Sequence, residues 1–252
     1  MNEEELIKRK IIDTANQAYK TNSFAFTNFL SLAELSIYHS LSKELNFIES
    51  KCFGGFESSE RNIIRFGSEE NLGYSLDFPI KLIKISPLTP KFSEKLNHRD
   101  YLGALMNLGI KRELLGDILI KDLDAYLFCL DHISDFIMDN LDKVRHTNVK
   151  LEIVEDANLE GIESKKEELE LIAASARLDA VVSSITKLSR SKVKDLFLSK
   201  KIYVNGLLNE NVSYKLKDKD VLVIRGIGKF NFLGNGKETK SGRVYVHLEK
   251  YI

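Results

Sequence analysis

The chain has 252 residues, with 37 Lys and Arg against 37 Asp and Glu, and 43% of it is apolar. That balance argues against disorder and leaves room for two or three small domains. No run of about 18 uncharged apolar residues occurs, so no membrane span is expected. The charged start MNEEELIKRK lacks an apolar signal core, and Cys52 and Cys129 stand alone outside any ligand-like spacing; both features point to a reducing, cytoplasmic location. The neutral total hides a polarity. Residues 170–252 hold 16 Lys and Arg against 8 Asp and Glu, a net +8, which leaves −8 upstream. A basic segment of that kind gains affinity for polyphosphates by releasing counterions.

In chain order, residues 3–19 have helical composition, with Leu6, Ile11, Ala15 and Ala18 near a helical repeat. Residues 31–45 predict a second helix that buries Leu32, Leu35, Tyr38, Leu41 and Leu45. Ser31 and Glu34 stand at capping-box spacing. Residues 47–52 and 61–66 read as strands around Gly54-Gly55. The next block is more regular. Residues 79–86 alternate like a strand, and 98–108 are helical with Gly109 as the stop. Residues 116–121 and 125–130 are strands, 131–141 a helix and 149–154 a strand. The order β-α-β-β-α-β is the ferredoxin-like arrangement, shared by the common RNA-recognition module. Tyr126 and Phe128 fall on one face of its central strand, but the basic-Gly-aromatic run of such modules is missing, which favours core packing. Lys111 and Arg112 follow the helix stop and are expected to be exposed, as secondary RNA contacts.

An acidic stretch, 157–169, reads as a linker, and 170–175 as a lead-in strand. Leu178, Val181, Val182, Ile185 and Leu188 then form the apolar stripe of one short helix; Val193, Leu196 and Phe197 form that of a second, capped by Ser189 or Ser191. Arg190 and Lys194 lie roughly 40° apart on the adjoining face. Tyr203 and Val204 lead into an Asn205-Gly206 turn. A strand over 220–225 precedes a turn of Gly226, Gly228 and Lys229, and 230–233 with 243–248 form a hairpin.

These residues carry a resemblance. The series RLD (177–179), Ser189-Arg190, VNG (204–206) and DVLVIRG (220–226) looks like the RNA-binding domain named for small-subunit ribosomal protein S-four. Lys200 and Lys219 stand where that pattern commonly has glycine, so Lys200 is expected either to hold a left-handed backbone or to end its helix differently. Upstream, HRDYLGALMNLGIKRELLGDILI (98–120) and GGFESSER (54–61) are similar to hallmark segments of the YlmH family. The resemblance implies an α+β protein: a mixed N-terminal module (1–76), a ferredoxin-like module (77–156), the acidic linker (157–169) and an S-four-type domain (170–252). It implies a bacterial, cytoplasmic, ribosome-associated factor with ribosomal RNA, tRNA and the large subunit as partners, acting in translation quality control, in a family often encoded beside cell-division genes. It also implies an RNA-facing role for Arg177.

The candidate RNA contacts are Arg177, Lys187, Arg190, Lys194, Lys200, Lys201, Asn205, Arg225 and Lys229. Asp179 reads as a helix-start cap or a partner orienting a basic residue, and Asn205 mainly as a turn residue. The tripeptide His98-Arg99-Asp100 lacks every other kinase motif, no GxGxxG follows a strand, and the five histidines are dispersed. A non-catalytic RNA binder is therefore expected, with no metal, cofactor or small-molecule substrate. An RNA-modifying enzyme with an S-four-type targeting domain and a cell-division interaction protein are the alternatives.

Overall fold

The computed structural model describes residues 3–155, 166–240 and 242–251. The chain divides into two compact units, 1–163 and 164–252. It is α+β throughout.

The first unit begins with α1 (Glu3–Thr21), whose Glu3, Glu4 and Glu5 sit at the positive end of the helix dipole and Lys20 at the negative end. Next come β1 (Ala25–Phe26), α2 (Leu32–Ser40), β2 (Ser50–Phe53), β3 (Ile63–Phe66) and a short α3 (Glu69–Leu72). The expected capping box is present: Ser31 N–H donates to Glu34 Oε2 at 2.7 Å, and Glu34 N–H donates back to Ser31 Oγ at 3.4 Å. Helix α2 stops at Ser40, five residues short of the expected end. Leu41 and Leu45 are still buried, because tight turns after the helix aim them at the same core. The three strands pair antiparallel in the order β1-β3-β2, and central β3 is buried at every residue. Ile11, Ala15 and Ala18 of α1 pack on Ile64 and Phe66 of β3.

The ferredoxin-like half follows as β4 (Ile80–Pro87), α4 (His98–Asn107), β5 (Leu115–Lys121), β6 (Asp124–Leu130), α5 (Ser134–Asn140), β7 (Lys143–Val144) and β8 (Thr147–Val154). The sheet order is β5-β6-β4-β8-β7, antiparallel throughout. This is the split β-α-β interleaving expected from the element order, with β7 added as an edge. Alternation along the strands sends Ile83, Ile85, Leu127 and Cys129 to one face, where Tyr101 and Leu105 of α4 and Ile137 of α5 cover them. It sends Leu82, Phe128 and Leu130 to the other face, where Phe29, Phe56 and Ile63 cover them. Helices thus cover one face, and the other is covered around Leu82, Phe128 and Leu130 while its Lys84 and Glu152 stay partly or fully exposed; residues 1–76 and 77–156 share a core within one unit.

The second unit contains β9 (Lys166–Ala173), α6 (Leu178–Thr186), α7 (Arg190–Leu198), β10 (Ile202–Val204), β11 (Leu207–Leu208), β12 (Val221–Ile224), β13 (Gly228–Glu238) and β14 (Val244–Tyr251). Its six strands run in the order β11-β10-β12-β13-β14-β9. Leu178, Val181 and Val182 of α6 and Val193 and Phe197 of α7 lie on Leu222, Ile224, Phe230, Phe232, Val246 and Leu248. The expected linker, 157–169, needs correction at its end. Residues 157–165 lie outside the described residues, but 166–169 form the first half of β9, which pairs with β14 over eight residues from Lys166↔Tyr251 to Ala173↔Val244. Leu169, Leu171 and Ala173 supply the inward period-two pattern, and that pairing outweighs the helix-prone acidic composition.

Candidate nucleic-acid interface

The local geometry around α7 follows from its ends. Ser189 is the N-cap residue, but its hydroxyl lies 3.1 Å from Ser191 Oγ and makes no cap bond. At the other end Lys200 has φ 55°. Its N–H reaches Phe197 O at 2.9 Å, and the Lys201 N–H reaches Leu196 O at 3.0 Å. This pair of bonds is a Schellman motif with lysine at the left-handed position usually given to glycine. Lys219 also has a left-handed backbone, at φ 71°, in a turn closed by Asp220 N–H on Lys217 O at 2.9 Å. Both glycine-to-lysine departures thus keep the glycine conformation.

Between α6, α7, the end of β9 and the β13–β14 connection lies a groove of about 740 Å³. Val193 and Phe197 lie along its floor, almost fully buried, and Ile172 and Val212 are exposed apolar lining. Its cations are Arg177, Arg190, Lys194 and Arg243. Arg190, Val193, Lys194 and Phe197 share this side of α7 because three- and four-residue steps return to one helix face. Arg177, the N-cap residue of α6, donates from Nε to Asp179 Oδ1 at 3.1 Å and from Nη2 to Asp179 Oδ2 at 2.9 Å. Asp179 therefore fixes the guanidinium while occupying its Nε side. The Nη1 side faces no carboxylate in this pair and can meet a phosphate. Four cations over an apolar floor suit a phosphodiester backbone with sugars or bases beneath it.

Six of the nine residues expected from sequence do not line this groove. Lys187 caps α6 in a left-handed conformation with φ 58° and is exposed. Lys200 and Lys201 are exposed at the far end of α7. Arg225 is tied to that end by its N–H on Lys201 O at 2.9 Å, and its guanidinium carbon stands 4.4 Å from the Tyr203 ring centroid. Lys229 Nζ stands 4.1 Å from the Tyr251 ring centroid. Asn205 is occupied: Nδ2 donates to Asp220 Oδ1 at 2.8 Å, and Oδ1 accepts the Val221 N–H at 2.8 Å. Asp220, 6% exposed, also accepts from Tyr214 Oη at 3.1 Å and Lys217 N–H at 2.9 Å. The Asn205 amide thus holds a turn together, the structural half of its expected role. Arg243 was missed as a site residue because it reads as the first residue of a strand; the groove is formed by pairing β14 with β9, which sequence spacing does not display.

In the first unit, the segment 54–61 is a joint between modules. Gly54 lies so close to the chain that a Cβ there would stand 2.1 Å from Arg61 O, and a Cβ on Gly55, at φ 106°, would stand 2.2 Å from the Phe128 ring. Arg61 donates to Leu115 O at 2.9 Å, Phe29 O at 2.9 Å and Arg112 O at 3.3 Å, while Asp117 accepts the Glu60 N–H at 2.6 Å. Arg112, expected to be exposed, is instead partly buried and donates to Leu115 O at 2.7 Å and Gly116 O at 3.0 Å. Desolvation beside Arg61 lowers its pKa to about 10, and burial raises that of Asp117. The two hallmark segments therefore meet around backbone carbonyls. Phe128 stacks on Phe56 at 5.1 Å, so the sheet face that RNA-recognition modules use is covered at Phe128.

Residues 74–159, which span this ferredoxin-like half, match the family model described as "Putative RNA-binding domain in YlmH". A curated relative, the ribosome-associated protein quality control protein P2 of Bacillus subtilis (strain 168), is 28% identical over 202 residues, 78% of this chain and 76% of that protein. Residues 74–159 are thus similar to the RNA-binding domain of YlmH, and the chain is similar to the Bacillus subtilis relative over 202 residues. A solved structure, the cell division protein YlmH from Streptococcus pneumoniae, shares the fold with a TM-score of 0.52 at 24% identity, covering 65% of this chain and 96% of that one. The RNA-binding assignment of the YlmH model falls on the first unit, whereas the basic groove lies in the second. No described helix is long and apolar enough to cross a membrane.

Proposed function

We propose that this chain is a YlmH-family, non-catalytic factor that binds structured RNA on the ribosome, with the groove of the second unit as its phosphate-binding site. The observation that carries the reading is the meeting of Arg177, Arg190, Lys194 and Arg243 in one groove, within a segment whose net charge is +8. Such a groove holds the backbone of a folded polynucleotide and selects it by shape rather than by base edges. The name of the Bacillus subtilis relative supports ribosome association, and the quality-control role follows from the same source. Ribosomal RNA or tRNA of the large subunit is the proposed ligand. Co-sedimentation of the full chain with separated ribosomal subunits, at low and high salt, tests the reading. Binding to the large subunit that falls steeply with salt is expected. Equal recovery with and without subunits would overturn it.

A further inference from the structure

The groove lies on the helical side of the second unit, and the outer face of the same sheet carries a different arrangement. Across the strands, outward positions align as Tyr203 on β10, Val223 on β12 and Lys229 on β13, and as Tyr251 on β14 beside Lys166 on β9. Phe230↔Lys250 is the adjacent pair between β13 and β14, so Lys229 and Tyr251 close the row. Both tyrosines are partly exposed, while Ile202, Val204, Phe230 and Leu248 point the other way and are buried. Lys229 Nζ and Lys166 Nζ stand 4.1 Å and 5.4 Å from the Tyr251 ring centroid, and Arg225 stands over Tyr203. Asn231 Nδ2 donates to Tyr251 Oη at 3.0 Å.

We propose that this row is a stacking platform for the bases of single-stranded RNA, with Arg225 and Lys229 meeting the flanking phosphates. It rests on the reading that the second unit binds RNA and adds a second, separate surface for an unpaired segment. Arg225 lies over the Tyr203 face and Lys229 over the Tyr251 face, so binding moves each cation off its ring to a phosphate and a base takes its place; aromatic faces paired with cations are the recurring chemistry of single-strand binding, because every base has a π-face and every linkage a charge. Three strand spacings put the two rings about 14 Å apart. They therefore receive two non-adjacent bases of one short segment. The neighbouring row, Asn231, Glu249 and Glu168, is acidic at two of its three positions, and Lys166 already pairs with Glu249 at 3.0 Å. That charge confines the RNA to the Tyr203–Tyr251 row.

The test uses the full chain and a single-stranded decauridylate carrying one 2-aminopurine, beside a fluorescein-labelled large-subunit ribosomal RNA fragment as the structured probe. Quenching of 2-aminopurine on binding is expected from stacking. Tyr203→Ala with Tyr251→Ala should weaken decamer binding by roughly fivefold to a hundredfold per ring, while Tyr203→Phe with Tyr251→Phe should keep it. Affinity for the structured probe should stay within about twofold in both double variants. Binding of the decamer without quenching, or an unchanged Ala variant, overturns the platform; so does equal loss in the Phe variants, since that implicates the hydroxyls. If the Ala pair does not fold, the quenching of the unmodified chain decides. A chain that binds the structured probe but not the decamer loses this inference alone; one that binds neither loses the proposed function as well.

Discussion

Replacing Lys200 and Lys219 by glycine should stabilise the second unit. Both residues hold a left-handed backbone, at φ 55° and φ 71°, and both side chains are exposed, so little packing is lost. A non-glycine residue there costs about 1–2 kcal/mol. Glycine returns about 0.4–1 kcal/mol of that by loosening the unfolded chain. The net gain is then roughly 0.5–1 kcal/mol per site. Lys200 N–H bonds Phe197 O and Lys219 N–H bonds Phe232 O, so the sites share no partner and their gains should add. For a unit of this size, about 1–2 kcal/mol raises Tm by roughly 4–16 °C. Calorimetry of the full chain reads the shift, and hydrogen exchange at the β10 and β12 amides assigns it to the second unit. A lower or unmoved Tm would refute the claim that these lysines strain the backbone.

Other perturbations probe the joints. Arg61→Ala leaves the carbonyls of Phe29, Leu115 and Arg112 without that donor and should cost the first unit about 2–4 kcal/mol in urea unfolding, with Lys a poor substitute because it lacks the planar fork. Asp220→Ala leaves Asn205, Tyr214 and the Lys217 N–H without their shared acceptor and should cost the second unit about 2–4 kcal/mol, read by its thermal transition. Gly55→Ala should displace Phe128 from Phe56 and cost about 1–3 kcal/mol, read by near-ultraviolet circular dichroism and urea midpoints.

Local signals reached far into this fold. The capping box at Ser31 and Glu34, the β-α-β-β-α-β order and the apolar stripes of α6 and α7 were all visible, because each is written in spacings of two to four residues. The two-residue strands β1 and β7 were not, since too few residues alternate to show a period. The stretch from Lys166 was misread because its acidic outward positions hide the inward Leu169, Leu171 and Ala173, whose partners on β14 lie some eighty residues away in sequence. The site divided in the same way. Arg190 and Lys194 were legible from helical phase, and Arg177 stood out in its tripeptide. Arg243 needed the tertiary pairing that brings the β13–β14 connection beside α6. The environment of Arg112 was equally hidden, because the carbonyls it meets belong to a strand entry, and the packing of Phe29 and Phe56 over the sheet decides which faces stay open.

The most direct test of the groove is the salt dependence of binding to large-subunit ribosomal RNA, comparing the unmodified chain with Arg190→Ala plus Lys194→Ala. Loss of two phosphate contacts should weaken binding across RNA sequences and flatten the slope of log K against log salt by about 1.4–1.8. An unchanged affinity and slope, in a variant that melts like the unmodified chain, would contradict the account.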